Sequence, residues 1–151
     1  MKTIHIFSAL VFAAAAIAAP AKAQNNVRTA AETAVSAAAD VRASHEASYR
    51  DLEVPRSVAS LPWGTLIAFS GPRFGDLGSF QRFGLHLDGL PRTDCVPFIT
   101  QVAAHFDDIW IADAGPSAVG GSVYTDGHID HLKLVSACRA HEQLGFDLIT
   151  H

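Results

Sequence analysis

Between residues 25 and 50 the apolar positions recur at steps of four and three, the spacing of one helical face. Val27, Ala31, Ala34, Ala38 and Val41 form that stripe, with Arg28, Glu32, Asp40 and Arg42 elsewhere on the surface. The stretch is rich in Ala and free of Gly and Pro, which favours helix; the competing reading is an Ala-rich linker that is only partly helical. From residue 49 to 89 the texture changes. Pro55, Pro62, Gly64, Gly71-Pro72, Gly75 and Gly78 cut the chain into short apolar pieces, a region of strands and loops. Residues 66–69 read as one strand. Phe83, Leu85 and Leu87 alternate with Gly84, His86 and Asp88, as a strand with one buried face should, and Leu90-Pro91 closes it.

A second helix is expected from Thr93 or Asp94, either of which offers a capping oxygen, with Pro97 in its first turn. Its apolar face is Cys95, Phe98, Ile99, Val102 and Phe106, and Asp107-Asp108 ends the pattern. Residues 109–111 follow as a strand, 114–121 as a Gly- and Pro-bearing loop, and 123–124, 132–135 and 146–149 as further strands. There is no internal repeat. The pattern predicts an α+β domain.

The N-terminus changes the picture of where this domain resides. Lys2 precedes an uncharged apolar run over residues 4–19, and Ala21-Lys22-Ala23 is a small-x-small site before Gln24. These features predict a signal peptide over 1–23 and a mature domain over 24–151. A membrane helix is the competing reading, but the run falls short of the ~20 apolar residues that span hydrocarbon. The chain carries 11 Lys and Arg against 15 Asp and Glu, a net charge of −4. Removing 1–23 takes away Lys2 and Lys22 and no acid, which leaves nine basic residues against the 15 acidic ones, or −6. Basic residues stand singly, with no patch to track phosphates, so nucleic acid is not an expected partner. In an oxidising compartment the two cysteines, Cys95 and Cys138, are more readily a disulfide than a metal or catalytic pair; two free thiols are the alternative.

Candidate chemistry rests on histidine. His128-x-x-His131, with Asp126, Asp130 and His141, supplies donors suited to zinc. An i, i+3 pair converges on one metal only on a helix, and Gly127 makes this segment read as a turn entering a strand, where alternate side chains diverge. Neither a metal nor any other cofactor is therefore expected. There is no Gly-x-Ser-x-Gly elbow, Asp107-Asp108 reads as a helix terminus, and Gly71-Pro72-Arg73-Phe74-Gly75 lacks the lysine and hydroxyl of a phosphate loop. Trp110 lies between two isoleucines in a strand and faces away from them; if they are core, it is an interface candidate. Trp63, beside Pro62, reads as core or loop packing. Two other functions fit these residues: a small exported metal-dependent hydrolase using His128, His131 and Asp126, and a periplasmic binding module.

In order along the chain, Val27-Arg28-Thr29-Ala30, Tyr49-Arg50-Asp51-Leu52, Leu61-Pro62, the Phe83-Gly84-Leu85-His86-Leu87 strand, Leu90-Pro91, Cys95 opening a helix that ends at Phe106-Asp107, Ile109-Trp110-Ile111, Ala137-Cys138 and a closing apolar strand resemble the type IVb pilins. The resemblance covers most of the mature chain. It implies a long N-terminal helix packed on an antiparallel sheet, and a Cys95–Cys138 disulfide bounding a variable C-terminal region. It implies a non-catalytic structural or accessory component of a pilus system, acting in adhesion, cell contact or conjugation. The implied partners are other pilus subunits, assembly proteins or a cell-surface receptor, with the stripe Val27, Ala31, Ala34, Ala38 and Val41 and Trp110 as interface candidates. The N-terminus departs from the pattern. Pilins carry a glycine processing site, then phenylalanine, glutamate and a long hydrophobic helix, and no Glu precedes Glu32 here. This implies either an exported soluble, periplasmic or tip-associated pilin-like protein, with the membrane met only through the signal sequence, or a start site lying further upstream.

Overall fold

The computed structural model describes residues 15–45, 48–71, 80–113 and 121–150. Residues 1–14 of the expected signal peptide and 114–120 of the expected loop lie outside these residues. Helix α1 spans Ala15–Ser44, so it begins before the expected residue 25 and passes the expected cleavage point. Val27, Ala31, Ala34, Ala38 and Val41 are all buried, joined by Ala30 and Ala37. They form an interior seam within this chain, where α1 packs mainly on α2 and β1. Short side chains on this stripe allow close backbone approach, since interaxial distance follows side-chain size at the contact.

The helix stops six residues before the expected end, without Gly or Pro. The His45 N–H donates to Arg42 O at 3.2 Å, and its ring Nδ1 lies 2.7 Å from Val41 O, so terminal carbonyls are satisfied from within the turn. Arg50–Glu53 is a separate 3-10 turn that buries Leu52.

Among the described residues six strands form one antiparallel sheet. β1 (Arg56–Leu61), β2 (Gly64–Phe69) and β3 (Phe83–Pro91) follow as a meander, then α2 (Arg92–Val102) leads to β4 (Asp108–Asp113) and the two-residue β5 (Gly121–Ser122). A small hairpin, β6 (Tyr124–Thr125) with β7 (His128–Ile129), precedes α3 (His131–Ala140) and β8 (Gln143–Thr150). The sheet order is β1-β2-β3-β8-β4-β5, so the last strand enters between β3 and β4. The register builds the core in rows: Leu87 opposite Phe146 opposite Ile111, and Leu85 opposite Leu148 opposite Ile109. All six are buried. The period-two pattern of β3 thus becomes one layer of the core, facing α1 and α2.

Two glycines in β3 are structural. Gly89 has φ +98°, in the left-handed region, where the register between Asp88 and Leu90 shifts. Gly84 pairs with Phe69, whose ring lies over it; a Cβ there would come within 2.2 Å of the ring.

Several expectations are corrected. The cap at Thr93 or Asp94 is absent: α2 begins at Arg92, its N-cap is Pro91, and Pro97 sits past the first turn. Asp94 instead accepts from Trp63 Nε1 at 3.0 Å. Phe106 lies beyond α2, after a 3-10 turn over Ala103–His105, although it is buried. Asp108 opens β4 and is not a helix end. The expected strand over 132–135 is helical, because Asp130 caps α3 through the Leu132 and Lys133 N–H groups at 3.0 and 3.1 Å. Leu134 and Cys138, four apart, face inward, while Leu132 is 84% exposed.

Candidate functional site

Cys95 on α2 and Cys138 on α3 are both buried and joined as a disulfide, with Cα atoms 5.7 Å apart across a separation of 43 residues. The bond ties α3 to α2 and so bounds everything between them, including β4 and the β6–β7 hairpin. That hairpin turns on Asp126 and Gly127, with φ of 52° and 78°, as a two-residue turn with both central residues left-handed requires. Thr125 Oγ1 donates to Asp130 at 3.1 Å and Lys133 Nζ to Tyr124 O at 3.0 Å, which closes the hairpin onto the start of α3. The Lys133 N–H, helped by Thr125 and Leu132, holds the Asp130 carboxyl below its ordinary range.

The metal candidates are placed apart in role. Asp126 is in the exposed turn, His128 is on β7, and His131 is the first residue of α3, all exposed, with Asp130 between the histidines engaged in capping. Among the described residues no group of three or more His, Cys, Asp or Glu side chains is arranged to hold a metal ion. The Arg92 Nε–H donates to the backbone oxygen of His141 at 3.1 Å.

The sheet face turned away from α1 carries a more distinctive arrangement. One transverse row runs Ile67, His86, Asp147, Trp110 and Ser122 across five strands. His86 Nδ1 lies 2.7 Å from Asp147 Oδ1, and its Nε2 lies 3.2 Å from Asp88 Oδ2. The bond from Asp147, with its charge and that of Asp88, holds the imidazole protonated up to about 9, against the opposing effect of partial burial. Trp110 is 36% exposed between the buried Ile109 and Ile111. Its Nε1–H donates to Asp108 Oδ2 at 2.7 Å, and Asp108 Oδ1 accepts from Ile109 N–H at 2.8 Å and Ser122 Oγ at 2.5 Å. The indole is therefore fixed on the surface. Trp63 is partly buried, its ring edge-on to Phe98 at 5.1 Å.

The outward position of Trp110 was legible from its two isoleucine neighbours. The His86–Asp147 pair was not, because the residues are 61 apart and only strand register brings them together. The alternation in β3 already turned His86 outward; what was missing was the neighbour.

The N-terminal helix packed on an antiparallel sheet gives the chain a fold like that of a pilin. The fold is similar to the crystal structure of TcpA, a type IV pilin from Vibrio cholerae El Tor biotype, with a TM-score of 0.57 and 14% sequence identity over 84% of this chain and 99% of that one. No protein-family model matches the chain. No curated protein matches it in sequence. Among the described residues no helix is long and apolar enough to cross a membrane.

Proposed function

We propose that the chain is an exported, pilin-like structural or accessory component of a type IV pilus system, of the type IVb kind, working through surface contacts and not through catalysis. The observation that carries this reading is the shared fold along nearly the whole of the pilin, 99% of that chain. The disulfide and the helix-on-sheet order, which the pilin resemblance had already implied, support it. The proposed partners are other pilus subunits or assembly proteins, and the proposed roles are adhesion, cell contact or conjugation. The stripe from Val27 to Val41 is used internally, so contacts with partners would fall on the sheet's outer face and the cysteine-bounded region. The proposal includes cleavage after Ala23, which N-terminal sequencing of the mature protein tests: a start at Gln24 is expected.

The direct test is fractionation of the source cells. Antibody against this chain should label sheared surface filaments in electron micrographs, and deletion should reduce filament number or attachment. A chain confined to the cell lysate, with filaments and attachment unchanged on deletion, overturns the reading.

A further inference from the structure

We infer that the outer sheet face around Trp110 is a docking surface for an arginine side chain on a basic segment of a partner protein. The inference stands on this face alone and does not rest on the pilus reading. Trp110 presents a large ring whose orientation is set in advance by the Asp108 carboxylate, itself anchored by Ile109 and Ser122. A side chain already held loses little freedom on binding. Asp147 stands directly opposite Trp110 in the β4–β8 register, where antiparallel neighbours place their Cβ atoms about 5 Å apart. Its Oδ1 is engaged by His86, while Oδ2 has no hydrogen-bond partner among the described residues. A cation lying over the indole is thus within reach of a carboxylate oxygen.

Charge selects the occupant. Beside the cation His86 the face carries the three carboxylates Asp88, Asp108 and Asp147, and the whole chain is at −4, which disfavours a second copy and favours a basic partner. Arginine fits better than lysine because its planar guanidinium stacks on an aromatic face while its N–H fork meets a carboxylate.

The test is a titration of the ¹⁵N-labelled full chain with acetyl-Gly-Arg-Gly-Arg-Gly-amide at low salt. The Trp110 indole N–H should shift, that of Trp63 should stay, and the shift should shrink as salt is added. The same peptide with citrulline for arginine should give no shift. Asp147→Asn, and Trp110→Leu read through the Asp147 amide, should each weaken binding roughly two- to fivefold, the range for an exposed cation–π contact or ion pair. Thermal midpoints of the variants check folding, and Asp147→Asn alone suffices should Trp110→Leu not fold. A stationary Trp110 indole, an equal response to the citrulline peptide, or an equal response to tetramethylammonium chloride overturns the assignment.

Discussion

In the meander β1, β2 and β3, each strand lies beside its neighbour in the chain, whereas β4 reaches the same sheet only through β8, the last element. The first region closes by short-range pairing across the Pro62-Trp63 turn and the β2–β3 connection. The second needs a strand more than 30 residues downstream before β4 has its long-range partner. Between them lie two-residue strands, a ten-residue helix and, among the described residues, few inward side chains, mainly Val123, Leu134 and Cys138. A segment with so little core per residue cannot repay its ordering entropy by burial alone. The difference shows what the disulfide is for: it holds the region whose own packing is thin, and β8 joins that region to the meander.

The largest effect should come from cutting this join. Phe146 sits between Leu87 and Ile111 in one core row and meets the Phe98 ring at a tilt of 43°, with centroids 5.1 Å apart. Phe146→Ala should cost about 3–5 kcal/mol, the transfer and cavity cost of a buried ring. Urea denaturation followed by far-UV dichroism and by tryptophan fluorescence should lose stability in both probes together. Separate transitions would mean that the two regions are independent, and would break the comparison.

Removing the staple should be next in size and different in kind. Cys95→Ser with Cys138→Ser opens a loop of 43 residues, for which the chain-entropy model gives about 3–4 kcal/mol, with native packing reducing what is observed. Hydrogen exchange should rise first over 121–140 while β1–β3 amides stay protected. Equal loss of protection in both regions would show that the bond supports the whole fold.

The same division governs how much was legible in the sequence. Where a strand or helix buries one face against regular neighbours, hydrophobic period and burial agree: Val27 to Val41 and Phe83 to Leu87 read correctly. In the stapled region the period misled. Leu132, Leu134 and the β-branched Val135 read as a strand, yet Asp130 caps a helix and Leu132 is left exposed, so the alternation had no sheet behind it. The short β5, β6 and β7 are too brief to carry a period at all. β1 was hidden by Ser57, Ala59 and Ser60, which give an edge strand little apolar content. On the outer face the exposure of Trp110 followed from its neighbours, but the His86–Asp147 pair depends on register between β3 and β8, which local sequence does not specify.

That pair is a polar tie on the outer face between the meander and the closing strand, and it offers the finest test of the comparison. The folded His86 titrates near 9, above the ordinary 6.5, because Asp147 and Asp88 favour its charged form. A raised value in the folded state means that the stabilisation is fully present below pH 6.5 and is lost as pH rises through 9. Both partners are more than a third exposed, so solvent screening limits the contribution to about 1 kcal/mol or less. Urea midpoints of the protein and of His86→Gln should therefore differ at pH 6 and converge at pH 10. Comparing the two at each pH cancels the titration of groups that do not interact with His86. A difference that persists unchanged at pH 10 would show that His86 joins the two regions by packing across the β3–β8 register and not by its charge.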